Sequence, residues 1–107
     1  DKVVSSMIWG SQYDAMLNWM EKNGKNVDEN LIRNRERITG KNKNDIINNI
    51  YDLYGCHFEW TLEASGNGVR ICRGGDTGSS DSLAKRNSDY PNNERFYISS
   101  RATLHIK

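Results

Sequence analysis

The chain has 107 residues, 15 of them Lys or Arg and 14 of them Asp or Glu, which leaves a net charge of +1. That length suits one domain and is short for two, and the near balance of charge argues against dedicated nucleic-acid binding, which shows as a basic excess. A mean hydropathy of -0.83 with 36% apolar residues implies a soluble domain with a modest core, and no apolar run has the length that crossing a bilayer demands.

In chain order, the opening Asp1-Lys2-Val3-Val4 leads into no long apolar run, so no signal peptide is read there. Residues 1–107 are taken as a single domain, expected to be an excised or processed piece of a longer protein because no initiator Met is present. Residues 11–23 predict a helix. Ser11 can cap it, with Asp14 three residues on, and Tyr13, Met16, Leu17 and Met20 form one apolar stripe flanked by Trp19. Gly24 is placed to end it. Residues 25–43 are rich in Asn, Lys and Arg and read as a polar loop. The basic run Arg33, Arg35, Arg37, Lys41 and Lys43 is irregularly spaced and broken by Glu36, which fits a solvated loop better than a phosphate-binding arm.

Residues 44–54 are ambiguous: Asn44 could cap a short helix through Ile46, Ile47 and Ile50, although Asn48 and Asn49 weaken it. Aromatic and β-branched residues from Phe58 to Glu63 predict a strand. A turn over 64–68 and a second strand from Val69 to Cys72 complete a β-hairpin. Residues 76–95 are poor in apolar side chains and read as a long exposed loop, a feature that in so small a domain points to function. Thr103 to Ile106 reads as a closing strand. Cys56 and Cys72 allow one disulfide at most, and two buried thiols are the expected state because small secreted scaffolds carry more cysteines.

Asp52-Leu53-Tyr54-Gly55-Cys56-His57-Phe58-Glu59-Trp60-Thr61 resembles the D-x-x-G-N-x-x-E-W-T signature of the formylglycine-generating-enzyme family. Val69-Arg70-Ile71-Cys72-Arg73-Gly74-Gly75 is similar to that family's R-V-x-R-G-G strand with Val and Arg exchanged, and Ser99-Ser100-Arg101 to its closing G-S-R. The motifs cover roughly residues 50–107. The resemblance implies an α+β chain with a C-type-lectin-like fold, in which a small twisted antiparallel sheet and one or two helices carry long irregular loops. The family's oxidases bind copper through two cysteines shortly after R-G-G. Asp76 to Arg86 contains none, so the soft copper site is missing and oxidase chemistry is the remote alternative.

A second branch of that fold, the variable proteins of diversity-generating retroelements and phage tropism determinants, places its exposed variable positions in this C-terminal stretch. The resemblance to it implies a non-catalytic ligand- or receptor-binding module on a virion or other extracellular surface, binding a host or cell-surface protein or glycan through residues 76–97. It also implies a homo-oligomeric parent assembly, and neither nucleic-acid binding nor membrane insertion. The contact residues it points to are Asp76, Thr77, Ser79, Ser80, Ser82, Asn87, Tyr90, Asn92, Asn93 and Tyr97. Small polar residues with tyrosine also suit an adaptable binding surface, and Tyr90 and Tyr97 are the candidate exposed anchors, with Phe96 packing beneath them. A structural or assembly domain is the alternative.

The frame holding that surface is expected to be Glu59, Trp60, Arg73, Gly74, Gly75 and Arg101. Trp60 should pack the core and Glu59 should satisfy buried donors, since a lone buried charge needs partners. Arg73 and Arg101 should pin loop carbonyls or carboxylates, and Gly74-Gly75 should permit a turn or a close approach. No cofactor is implied, the exception being a calcium ion near Glu59, which some members of the family bind through oxygen ligands. His57 and His105 have no neighbours at metal-ligand spacing. Cys56 and His57 are adjacent strand residues facing opposite ways, so they form no catalytic pair.

Overall fold

A computed structural model describes residues 2–26, 38, 40–41, 43–54, 57–75 and 82–106. Among the described residues the chain is a small α+β domain with one α-helix, a mixed four-stranded sheet and two antiparallel strand pairs. Strand β1 (Val3–Met7) leads into α1 (Gly10–Lys22). A short hairpin of β2 (Ile46–Ile47) and β3 (Ile50–Tyr51) follows, then β4 (Phe58–Gly66), β5 (Val69–Arg73), β6 (Asn87–Asp89), β7 (Ile98–Ser99) and β8 (Ala102–Ile106). The central sheet has the order β6-β5-β4-β7, antiparallel except for the β4–β7 pair. The first and last strands make a separate antiparallel ribbon, from Val3↔Ile106 to Met7↔Ala102.

The helix predicted over 11–23 is present, but Ser11 does not cap it. Trp9 holds the cap position in extended conformation, and its backbone N–H donates to Gln12 Oε1 at 2.8 Å, the reach-back half of a capping box. Asp14 is freed from capping and turns to Arg73. At the other end Lys25 N–H bonds Met20 O at 2.8 Å and Gly24 N–H bonds Glu21 O at 3.2 Å. This is a Schellman closure, which places Gly24 at φ 63°. Tyr13 and Met20 are buried, with Met16 and Leu17 packed beside them. These join Ile8, Ile47, Leu53, Tyr54 and Leu83 in one core on the helix side of the sheet. Trp19 stays exposed.

Residues 44–54 do not form the helix that Asn44 could cap. A single 3-10 turn over Lys43–Asp45 gives way to the β2–β3 hairpin. Asn48 and Asn49 are its two-residue turn, both with positive φ (47° and 66°). The residues that weaken a helix are those that a tight hairpin turn of this hand requires. The 58–72 hairpin stands, with β4 longer than predicted and the connection shortened to Asn67-Gly68. Residues 76–95 are not one loop: β6 adds to the edge of the central sheet, and Leu83 is buried in the core.

Candidate functional site

Side chains alternate across a strand, so the register sorts the sheet into two faces. Glu59 lies opposite Arg73 and Ser99, and this face meets α1. Trp60 lies opposite Cys72, Cys72 opposite Asn87, and Phe58 opposite Ile98, so these residues make the face turned away from the helix.

The helix-side face carries the frame. Glu59 is buried, and its partner is a guanidinium rather than backbone donors. Arg101 Nε donates to both carboxylate oxygens at 3.0 Å, and Nη2 donates to Oε1 at 2.6 Å. Nη2 also donates to the Tyr51 carbonyl at 2.7 Å, so one arginine ties β4 to the β2–β3 hairpin. The Glu59 carboxylate and nearby charges raise the Arg101 pKa against the opposing effect of burial. Both Glu59 oxygens are thus occupied by a cation belonging to the chain, and the site does not fit a calcium ion.

Arg73 is 1% exposed. Its Nη2 donates to Asp14 Oδ1 at 2.7 Å and to the Ala84 carbonyl at 3.2 Å, and its guanidinium lies 4.4 Å from the Tyr13 ring centre. This is the predicted pinning of a carboxylate and a loop carbonyl. Burial first, and the Glu59 charge second, push the Tyr13 hydroxyl well above its ordinary pKa, so it stays a donor, here to the Leu83 carbonyl at 3.3 Å. At Gly74 φ is 94°, and a Cβ there would stand 2.7 Å from the Leu53 carbonyl oxygen. Both readings of this glycine, a special backbone conformation and a close approach, apply at once. Trp60, expected in the core, is only half-buried because its row faces away from the helix.

The outward face carries a shallow cleft of about 240 Å³ lined by Phe58, Cys72, Asn87, Asp89, Tyr97 and Ile98, with Ser88 at its edge. Cys72 is a buried thiol; Cys56 lies outside the described residues. Beside the cleft the chain turns over Tyr90–Asn93, closed by an Asn93 N–H to Tyr90 carbonyl bond of 2.9 Å. Asp89 organises this turn. Its Oδ2 accepts from Arg95 Nε at 2.7 Å, and its Oδ1 accepts from Asn93 Nδ2 at 3.1 Å and from the Tyr90 N–H at 2.7 Å. The Arg95 bond, then those of Asn93 and Tyr90, hold its carboxyl down to about 2.

Phe96 and Tyr97 meet at this rim, and Tyr90 stands on the adjoining turn, toward Gly68 of the β4–β5 connection. Tyr90 is 53% exposed and Phe96 78%. Phe96 therefore does not pack under the loop; Tyr97 takes that place, half-buried and edge-on to Phe58 at 6.3 Å and to Phe96 at 5.3 Å. Phe58 already fills the space beneath, and the inward position in the Phe96-Tyr97 pair falls to Tyr97.

Of the contact residues read from the sequence, Asn87 and Tyr97 meet in the cleft, and Tyr90, Asn92 and Asn93 form the adjoining turn. Ser82 lies elsewhere, in a groove against α1 with Leu17 and Met20. Asp76, Thr77, Ser79 and Ser80 lie outside the described residues, as does the basic run at 33–37. Sequence reasoning missed Asp89 and Arg95, although Asp89-Tyr90-Pro91-Asn92-Asn93 is dense in turn-forming residues. It also missed a second cleft, of about 490 Å³, between the β2–β3 hairpin and the Glu59–Arg101 pair, lined further by Asp52, His57, Ser99 and Ser100. Among the described residues no three His, Cys, Asp or Glu side chains converge as a metal site, and no helix is long and apolar enough to cross a membrane. Comparison with protein families, curated proteins and solved structures finds no match to this chain.

Proposed function

We propose that this is a non-catalytic binding domain of C-type-lectin-like fold, displayed on a virion or cell surface. It takes a host or cell-surface protein or glycan on the outward face of the central sheet. The observation that carries this reading is the aromatic rim: a phenylalanine left 78% exposed beside Tyr97, with Tyr90 53% exposed on the preceding turn, which the Asp89–Arg95 pair holds in place. An exposed aromatic costs solubility, and rigid aromatics with adaptable amides are the residues that dominate binding surfaces. The Asp89 charge is met within the turn by Arg95, which leaves Glu94 as the acidic group beside the aromatics.

The test uses the fluorescently labelled domain on whole bacterial cells and on a glycan array. Retention on one of them, lost in Tyr90→Ser and Phe96→Ser but kept in Trp19→Ser, is the expected result. Equal retention in all three variants would sink the rim as the binding face.

Affinity at one small site is multiplied when several copies act together, and a homo-oligomeric parent assembly belongs to this proposal. An assembly role is the second reading. It is favoured by Val3, Leu104 and Ile106, which stand exposed on one face of the β1–β8 ribbon. Sedimentation at high concentration distinguishes the two: self-association lost in Leu104→Ser with cell retention unchanged separates assembly from recognition.

A further inference from the structure

Asp45 is the most deeply enclosed carboxylate outside the sites described above. It is 2% exposed and stands where the 3-10 turn enters the β2–β3 hairpin. Its Oδ2 accepts the Tyr54 N–H at 2.9 Å. Its Oδ1 has no hydrogen-bond partner among the described residues. An ionised carboxylate with a bare buried oxygen is costly, whereas a neutral carboxyl has no charge to solvate and calls for fewer donors. The same residue's carbonyl accepts the Asp52 N–H at 3.0 Å, so Asp45 closes the hairpin through both side chain and backbone. The segment it closes is tightly turned: Asn48, Asn49 and Asp52 all have positive φ.

Two charges bear on Asp45. The Asp52 carboxylate, across the hairpin, opposes its ionisation; the Arg101 guanidinium, from the β7–β8 connection, favours it. Tyr13, from α1, is buried and stays neutral. Lys43 stands on the same turn as Asp45. Arg101 is already committed to Glu59 and to the Tyr51 carbonyl, so it compensates only in part.

We propose that Asp45 is a proton-operated latch on the 45–54 hairpin, closed when its carboxyl is neutral and loosened when it ionises. The hairpin supplies Tyr51 and Asp52 to the wall of the larger cleft, so the latch sets how firmly that wall is held. Burial, the largest cause, lifts the carboxyl from 3.8 to about 6, against the pull of the Tyr54 and Leu53 amides. Opening the hairpin returns it to water and to its ordinary value. Closure is therefore favoured most below about 4, and that advantage disappears as the pH rises through about 6. A difference of two units corresponds to roughly a hundredfold change in the opening equilibrium.

The experiment is amide hydrogen exchange followed by NMR from pH 4 to 7.5, corrected for the intrinsic pH dependence of exchange, on the wild type and Asp45→Asn. Protection at Asp52 and Tyr54 is expected to lie below that at Thr61 and Cys72, to fall roughly a hundredfold across that range in the wild type, and to stay level in the variant. Level protection in the wild type, or an equal fall in the variant, would overturn the proposal. So would protection at Asp52 and Tyr54 as high as that at Thr61 and Cys72, because the hairpin would then open only with the whole fold. Should the variant not fold, carbon NMR titration of the wild-type Asp45 carboxyl decides: a midpoint near 6 supports the latch, and one near 4 refutes it.

Discussion

Glu59 and Asp89 are both carboxylates gripped by a neighbouring arginine at hydrogen-bond distance, yet water reaches the two pairs to different extents. Glu59 is buried on the helix-side face under a half-buried Arg101, whereas Asp89 is half-buried on the outer strand under an exposed Arg95. The chemistry is shared and the consequences differ. In the interior the pair cannot be broken without stranding a charge in a medium that solvates it poorly. At the rim, water reaches Arg95 and can take its place at smaller cost. One pair is therefore a fastening of the fold, and the other is a means of shaping a turn.

The largest effect that would sharpen this contrast is Arg101→Ala. It leaves Glu59 buried and unpaired, and is expected to remove about 4 kcal/mol of stability by urea denaturation. Adding Glu59→Gln to that variant should recover part of the loss, because the stranded charge goes with it. An Arg101→Ala loss no larger than that of Arg95→Ala would erase the distinction. Next comes pH. The raised carboxyl of Asp45 gives stability that is complete below about 4 and lost through about 6, so unfolding measured at pH 4 and pH 7 should differ by roughly 3 kcal/mol in favour of the acidic sample. Asp89, held down to about 2, has the opposite sign and acts only below that window. Smaller again is Gly74→Ala, where the positive φ and the Leu53 carbonyl both resist a Cβ; about 2 kcal/mol is expected in the same denaturation assay. Arg95→Ala should leave the unfolding midpoint almost unmoved while raising hydrogen exchange at Asn93. Least of all, Phe96→Ser should change stability by no more than about 0.5 kcal/mol, since its ring is mostly in water.

The elements that could be read from the sequence are those with a local cause. The helix followed from the period of Tyr13, Met16, Leu17 and Met20, and its end from Gly24, each decided within a few residues. The 58–72 hairpin was legible for the same reason. What escaped was set by distant partners. Strand β1 was invisible because Val3–Met7 gains its structure from residues about a hundred positions away. Strand β6 is made of Asn, Ser and Asp, poor strand formers that are ordered by the edge of β5. Of the site, Asn87 and Tyr97 are brought together, and Tyr90, Asn92 and Asn93 lie beside them. Ser82 went to the helix side because its neighbour Leu83 is drawn into the core. The inward and outward places of Phe96 and Tyr97 were exchanged. Either aromatic could have filled the inner position, and only the location of Phe58 decides between them.

The β1–β8 ribbon has a kinetic consequence. Its first registered pair, Val3 with Ile106, closes almost the longest loop this chain can make. Ordering both ends of so long a segment is entropically expensive until the intervening chain is already compact, and contacts of such high sequence separation slow folding. During synthesis β1 emerges before β8 and must wait, unpaired, until β8 has left the ribosome. Its row of backbone donors and acceptors is open throughout that interval, so the domain is most prone to mispairing while its middle is still being made.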